Sequence, residues 1–375
     1  MYKGKLHPDE LNRWIDAWVP LYDFSTKIDV SIDRDRYFHS PAMVVAPNGD
    51  WLLAHQDSET HVGHDSVIRQ VRSVDKGKTW KLDGIVYDGR AEGRLGRGPV
   101  YGVTPEGVVI LVVQTFWPLS NVTWEERDGY YGDEEGGSIW LTSQNSGETY
   151  DERGWVDPIK PERHKSSTGQ ILEHHGLMFL PGSELTSNPD KSGMNYYTLS
   201  DLDKGWQYGE QLFPLIINTK DPNILGYPSI IKTSNGDLTM HCTDNVRVYG
   251  RCSSDKGETW GDTTVLEGLL IRNDPNFVYA GDVLLSHGRG MDKSSVVLYF
   301  SPDHGVTWGH PIIIEHYGPE SADGGYSASV SVGNSGVFVA FSTDGQRHKN
   351  PDIRGVFLEN VRIRRFQGRR NYYVL

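Results

Sequence analysis

The chain is 375 residues long and carries 50 acidic against 37 basic side chains, a formal charge of −13. That balance argues against non-specific nucleic-acid binding, while leaving room for a small cationic funnel that takes an anionic substrate. No segment approaches the roughly 18 apolar residues of a membrane-spanning helix, so no membrane partner is expected.

From the start, Met1-Tyr-Lys-Gly-Lys-Leu-His-Pro8 lacks the apolar core of a secretory leader, which gives a cytoplasmic expectation. Pro8 to Trp18 has the best helical periodicity and predicts a short helix beginning at Pro8 or Asp9. Ser40-Pro-Ala-Met-Val-Val-Ala-Pro-Asn-Gly49 then reads as a short strand ending in a tight turn. The pattern returns without gaps as Gly98-Pro-Val-Tyr-Gly-Val-Thr-Pro-Glu-Gly107 and Tyr227-Pro-Ser-Ile-Ile-Lys-Thr-Ser-Asn-Gly236. A fourth copy, with one insertion, spans Tyr326 to Gly336. Each is predicted to be the inner strand of one repeating unit.

A second repeat, S-x-D-x-G-x-T-W, interleaves with the first. Its copies are Ser73-Val-Asp-Lys-Gly-Lys-Thr-Trp80, Ser143-Gln-Asn-Ser-Gly-Glu-Thr-Tyr150, Ser253-Ser-Asp-Lys-Gly-Glu-Thr-Trp260 and Ser301-Pro-Asp-His-Gly-Val-Thr-Trp308. The Asp side chain accepts hydrogen bonds from nearby backbone N–H groups. Gly supplies the positive φ that closes the turn, and Thr-Trp opens the next strand with an apolar anchor. The copies lie 70, 110 and 48 residues apart. The middle interval is about two repeats long, and the degenerate Ser200-Asp-Leu-Asp-Lys-Gly-Trp206 splits it into 57 and 53. With room for one more unit after Trp308, six are predicted.

The first interval is lengthened by an acidic, aromatic insert over residues 120–138, a candidate lid or rim. Trp117, Trp124, Tyr130, Tyr131, Tyr196 and Tyr197 are candidates for stacking on sugar rings. Cys242 and Cys252 flank a predicted hairpin turn at Thr243-Asp-Asn-Val246. In that register they face residues 247 and 237, so no disulfide is expected.

The two repeats resemble the Asp boxes and inner strands of the sialidase-like (BNR-repeat) β-propellers, over roughly residues 36 to 367. The resemblance implies an all-β fold, a six-bladed β-propeller of four-stranded antiparallel blades forming one domain. The Asp boxes should lie on the rim away from the pocket. The N-terminal stretch Trp18 to Ile32 is the candidate outer strand of the last blade.

The resemblance also implies a site at the mouth of the axis. Asp65, in Gly63-His64-Asp65-Ser66, holds the place of the family's general acid, with His64 beside it. Tyr326, in Gly325-Tyr326-Ser327, matches the family's nucleophilic Tyr. The three-Arg carboxylate clamp of sialidases is altered here. His39 stands in the first place, with Arg36 upstream. The second place falls at His241 or Thr243, with Arg247 beyond the turn. The third reads Lys293, with Arg289 nearby, and Tyr227 stands where the family has an activating Glu. Arg97, just ahead of the second inner strand, joins these as a candidate substrate contact.

His39, His55, His61, His64, His174, His175, His241 and His287 fall near predicted strand ends or loops and suggest a His-rich pocket. His61-Val-Gly-His64-Asp65 matches no defined metal-site spacing, so neither metal nor cofactor is expected. Three functions remain open. One is an exo-glycosidase on a glycan carrying an acidic or deoxy sugar, with Asp65 as acid, Tyr326 as nucleophile and His39 as a further acid/base candidate. Another is a lyase that cleaves uronic-acid glycans by β-elimination. The third is a propeller that binds carbohydrate without catalysis. An oligosaccharide or glycoconjugate is the expected partner in the enzymatic readings.

Overall fold

The computed structural model describes residues 14–61, 63, 65–116, 137–161, 169–184, 193–214, 225–317, 324–343 and 350–369, without the side chains of 14–19 and 365–369. Two N-terminal strands, β1 (Trp14–Phe24) and β2 (Ile28–Ser31), come first in the chain and belong to the last blade. Blade 1 follows as β3 (Tyr37–Val45), β4 (Trp51–Ser58), β5 (Val67–Ser73) and β6 (Lys81–Tyr87). Blade 2 is β7 (Leu95–Val103), β8 (Val109–Phe116), β9 (Ser138–Ser143) and β10 (Asp151–Trp155). Blade 3 is β11 (Leu172–His174), β12 (Leu177–Glu184), β13 (Gly193–Leu199) and β14 (Gln207–Pro214). Blade 4 is β15 (Gly226–Lys232), β16 (Leu238–Thr243), β17 (Val248–Ser253) and β18 (Thr264–Val265). Blade 5 is β19 (Ile271–Ala280), β20 (Val283–Gly290), β21 (Ser295–Ser301) and β22 (Ile312–His316). Blade 6 is β23 (Ser327–Val332), β24 (Gly336–Ser342) and β25 (Ile353–Arg369), with β1 and β2 paired to the outer edge of β25.

All of these pairings are antiparallel, and the result is a six-bladed β-propeller. Residues 14–18, where a helix was expected, form the start of β1. Backbone pairing of Trp14 with Arg369 through Phe24 with Leu358 overrides the local periodicity. The rest of that expected helix lies outside the described residues.

The core lies between blades rather than within them. Leu52, Ala54 and Ile68 of blade 1 pack with Tyr101, Val109 and Leu111 of blade 2 in one cluster. Val283, Leu285 and Val296 of blade 5 share another with Val337, Val339 and Val356 of blade 6. A strand buried on both faces cannot alternate apolar with polar residues, which is why β8 opens as the continuous apolar run Val109 to Val113.

The register fixes which end of the disc is which. In blade 1, Val45, Trp51 and Ser73 are aligned across the sheet at one end, and Tyr37 pairs with Ser58 at the other. The Asp boxes, each joining the third and fourth strands of its blade, therefore lie opposite the starts of the inner strands. In the first box Ser73 Oγ donates to Asp75 Oδ1 at 2.8 Å, and the Thr79 N–H donates to the same oxygen at 2.8 Å. Thr79 Oγ1 closes the turn on Asp75 Oδ2 at 2.6 Å. The box needs positive φ at two consecutive residues, Lys76 at 59° and Gly77 at 84°. Asn145 keeps the turn in the second box, with its amide now donating to Thr149 Oγ1 at 3.0 Å.

The Cys hairpin is shifted from its expected register. Asp244 to Arg247 form the turn, Cys242 pairs with Tyr249, and Cys252 pairs with Thr239. Both cysteines are free thiols. The extra pair arises because the Asp244 N–H bonds to the Arg247 carbonyl, with Asn245 at a φ of 67°, so the turn starts one residue later than expected.

Three histidines bind neighbouring blades together. His55 donates through Nδ1 to the Gln56 carbonyl at 2.9 Å, and its Nε2 lies 3.0 Å from Ser31 Oγ on β2. His287 reaches from blade 5 to Ser327 Oγ and Ser329 Oγ of blade 6, both at 2.8 Å. His241 of blade 4 stacks on Phe277 of blade 5 with ring centroids 3.9 Å apart. Burial lowers His55 to about 4 and both His241 and His287 to about 3, from 6.5.

Two predictions follow from this packing. Folded-state values below the unfolded one mean that the unfolded chain takes up protons first as pH falls. Stability is then complete above pH 6.5 and declines toward pH 4, by up to about 1.4 kcal/mol per pH unit for each histidine. Urea midpoints measured from pH 8 to 4 should stay level and then fall below about 6.5, and His241→Phe should make that fall shallower. A level midpoint down to pH 4.5 would refute the assignment. Separately, a Cβ on Gly77 would sit 2.5 Å from Trp51 Cζ3, whereas one on Gly49, with φ at 89°, meets nothing within 4 Å. Gly49→Ala should cost about 1 kcal/mol of backbone strain and Gly77→Ala roughly 1–3 kcal/mol more, read as thermal midpoints.

Candidate active site at the mouth of the propeller

Near its start, each of four inner strands carries a residue followed by proline, and that residue has positive φ each time. The values are 50° at Ser40, 51° at Gly98, 55° at Tyr227 and 61° at Asp274. The pairing register slips at each place, between His39 and Ala42, Arg97 and Pro99, Gly226 and Ser229, and Asn273 and Asn276. Proline removes the ladder N–H, and the left-handed residue before it bends the strand, so each is a bulge. For Ser, Tyr and Asp that conformation costs roughly 1–3 kcal/mol, strain of the kind found at functional sites. In blade 6, Gly325, just ahead of β23, has a φ of 85° immediately before Tyr326.

The bulges bring side chains from four blades together. Tyr326 Oη lies 3.0 Å from Tyr227 Oη, and Asn273 Nδ2 donates to Tyr227 Oη at 2.9 Å. The guanidinium of Arg289 lies 5.1 Å from the centre of the Tyr326 ring, and Arg289 Nε donates to the Gly324 carbonyl. The His39 ring meets Tyr326 edge-on at 4.2 Å and His61 at 4.9 Å. Ser40 Oγ lies 2.8 Å from His39 Nδ1, and Tyr37 Oη lies 3.3 Å from His61 Nδ1. Asp274 Oδ2 accepts the Ser327 N–H at 3.1 Å, tying blade 5 to the residue after Tyr326.

An ionic arm flanks this cluster on blade 1. Asp57 is 1% exposed and holds Arg36 Nε on Oδ1 and Arg69 Nε on Oδ2, each at 2.6 Å. Arg36 Nη1 reaches on to Asp65 Oδ2 at 2.6 Å, and Asp65 Oδ1 accepts the Glu59 N–H at 2.9 Å. Asp65 and His61 share the loop between β4 and β5, so Asp65 lies on the Tyr326 face of the disc, one loop out from the centre.

Of the residues singled out in the sequence, His39, Tyr227, Arg289 and Tyr326 form one contact cluster. Arg36 and Asp65 form the arm beside it. Arg97 starts β7 in the repeat position that His39 holds in β3. Arg247 is exposed on the β16–β17 turn, with Asp244 and Tyr249 as neighbours. His241 is corrected to a packing residue, since it is 3% exposed and stacked between blades. His55 and His287 are likewise blade staples. His174 and His175 lie at the β11–β12 turn on the Asp-box side. Tyr196 and Tyr197 are buried. His64, Trp117, Trp124, Tyr130 and Tyr131 lie outside the described residues.

Asn273, Asp274, Tyr37, Asp57 and Arg69 were not singled out. Asn273-Asp274-Pro275 carried a signal, because it repeats the residue-plus-Pro start of the other inner strands. It lacks their Asn-Gly or Glu-Gly ending and so does not align with them over its full length.

The profile of the BNR repeat-like domain matches residues 49–339. No curated protein matches the chain. Among solved structures, a Dyadobacter fermentans protein of unknown function is 16% identical, covering 90% of this chain and 99% of that one, with a TM-score of 0.69. The NanB sialidase of Streptococcus pneumoniae is 14% identical over 90% of this chain and 70% of its own, with a TM-score of 0.64. The α-L-arabinanase of Penicillium chrysogenum, solved with arabinobiose, is 18% identical over 89% of this chain and 98% of its own, with a TM-score of 0.62. At these identities the likeness is one of fold.

Removing the Asp57 carboxylate strands Arg69 and leaves Arg36 paired with Asp65 alone. Asp57→Ala should lower stability by about 1–3 kcal/mol, reduced from the fully buried case because both Arg side chains are about a quarter exposed. Denaturant unfolding would measure it, and an unchanged midpoint would show that the arm is not held through Asp57.

Proposed function

Since the chain belongs to the BNR repeat-like domain family, we propose that it is a retaining glycosidase acting on the end of a glycan at the propeller mouth, with Tyr326 as nucleophile. One observation carries the proposal, the line Asn273 to Tyr227 to Tyr326. An amide N–H can only donate, so Asn273 fills one lone pair of Tyr227 Oη, and this reading assigns the Tyr227 proton to Tyr326 Oη, 3.0 Å away. A phenol ordinarily ionises near pH 10, and a hydrogen bond donated to its oxygen favours the ionised form. The Arg289 guanidinium, 5.1 Å from the ring, adds positive charge beside it.

In the reaction, Tyr326, ionised beforehand with its proton released to solvent, bonds through its oxygen to the anomeric carbon as the glycosidic C–O bond breaks. The departing oxygen takes that electron pair and a proton from Asp65, which must first leave Arg36. Water then attacks the glycosyl–tyrosine, with Asp65 taking its proton, and the sugar is released with retained configuration. Arg289, beside Tyr326, favours a sugar carrying an acidic group, while Arg36 and Arg69 are balanced by Asp57 and Asp65.

A second reading, β-elimination on a uronic-acid glycan, has its own support. Both Asp65 oxygens are engaged, by Glu59 and by Arg36. Tyr326 would take the C5 proton, Arg289 and Asn273 would neutralise the uronate carboxylate, and Tyr227 would protonate the departing oxygen.

Chromogenic glycosides assayed alongside uronic-acid oligosaccharides separate the two readings. For the glycosidase, Tyr326→Phe should abolish turnover of both natural and activated aryl substrates. Asp65→Asn should slow substrates with poor leaving groups by about 10²–10⁴-fold and nitrophenyl glycosides far less. An unsaturated product absorbing in the ultraviolet would replace hydrolysis with elimination. Full activity of both variants on a natural glycan would overturn both enzymatic readings.

A further inference from the structure

Blade 5 holds the chain on both sides of Tyr326. Before it, Arg289 Nε donates to the Gly324 carbonyl, and a Cβ on Gly325 would lie 3.2 Å from Arg289 Cβ. After it, the N–H, the carbonyl and the hydroxyl of Ser327 are each engaged by a different blade 5 side chain. The N–H donates to Asp274 Oδ2 at 3.1 Å, the carbonyl accepts from Asn276 Nδ2 at 2.7 Å, and the hydroxyl lies 2.8 Å from His287 Nδ1. All four residues are buried. Asp274 also follows Asn273, whose amide bonds to Tyr227 Oη, the partner of the Tyr326 phenol. One dipeptide of β19 therefore acts on Tyr326 at both ends, through the main chain behind it and through the hydroxyl in front.

The bulge at Asp274 does not require this grip. Gly98 forms the equivalent bulge with no side chain, and Ser40 Oγ turns to its own neighbour His39. Tyr227 and Asp274 instead reach blade 6, the first at the phenol and the second at the main chain beside it. A carboxylate only 2% exposed is costly to bury and has to be offset by hydrogen bonds. Glycine or asparagine would adopt the same φ without that cost.

On the reading that Tyr326 is the reactive group, we propose that Asp274 and Asn276 are its positioning residues, gripping Ser327 so that the phenol stays within hydrogen-bond reach of Tyr227. A Tyr side chain moves with its own main chain, so slack at Ser327 becomes displacement at Oη. A misplacement of about 1 Å can cost about 10²-fold in rate. The same slack weakens the bond that favours the ionised phenol. The other titratable or charged groups beside the Tyr326 ring are His39 of blade 1 and Arg289 of blade 5, and the substitutions below leave both in place.

The test is an NMR titration of the chain with its tyrosines isotopically labelled at Cζ, which needs no substrate. The signals of Tyr326 and Tyr227 are identified by their loss in Tyr326→Phe and Tyr227→Phe, and the pair titrates in two coupled steps. Asp274→Asn and Asp274→Gly remove the same charge and both tolerate the bulge, but only Asn keeps an oxygen for the Ser327 N–H. The lower step should lie about one pH unit higher in Asp274→Gly than in Asp274→Asn. Asn276→Ala, which leaves the bulge and the charge untouched, should lie about one pH unit above wild type. On a substrate that the wild-type chain turns over, Asn276→Ala should lower kcat by about 10–100-fold with KM little changed, and Asp274→Asn should outperform Asp274→Gly. The proposal is overturned if Asp274→Gly and Asp274→Asn titrate alike, or if Asn276→Ala titrates as wild type does. Shifted titrations together with a fully active Tyr326→Phe would support the grip and overturn the reading of Tyr326 as the reactive group.

Discussion

The positive φ that precedes proline at four inner-strand starts is the constraint on which the candidate site depends. Proline cannot donate to the ladder, and the residue before it is held in a conformation that Ser, Tyr and Asp adopt at a cost. A regular strand would send alternate side chains to either face of its blade. The bulge breaks that alternation and allows His39, Tyr227 and Asn273, from three different blades, to converge near Tyr326. The strain persists because the surrounding sheets over-determine it. Each bulge is followed at once by regular pairing, as at Ala42 with Ala54 and Ser229 with His241.

The propeller supplies that over-determination through its seams. Apolar clusters span neighbouring blades, so no blade holds its core alone, and the ring is completed by β1 and β2 on the edge of β25. Pairing the two chain regions removes a sheet edge that would otherwise be open to aggregation. The polar staples follow the same logic. His55 joins blade 1 to β2, and His287 joins blade 5 to blade 6, in places where an apolar side chain could not satisfy the facing hydroxyls. Burial keeps these histidines neutral, so the seams are tuned to neutral pH.

Charge is distributed unevenly on this acidic chain. At the mouth, Asp57 is committed to two guanidinium groups, which fixes Arg36 between two carboxylates and aligns it without consuming all of its donors.

The repeats were legible in the sequence because they are local. An Asp, a Gly with positive φ and a Trp at fixed offsets make a turn wherever they occur, and the count of such turns implied the blade number. Tyr326 and Tyr227 were legible as positions in an inner-strand pattern. The hydrogen bond between them was not, since they are 99 residues apart and meet only when the ring closes. His241, His55 and His287 read as pocket residues because strand ends near the mouth and seams between blades share the same sequence neighbourhoods. Burial does not distinguish them, since His39 is also 0% exposed; their partners do, and those are set by the adjacent blade. The N-terminal stretch from Trp18 was legible as the closing strand, while residues 14–18 were hidden beneath helical periodicity, as their partner is β25, at the other end of the chain. Local backbone chemistry was thus determined by the sequence itself, while every contact between blades was decided by the tertiary structure, where distant segments exclude water together.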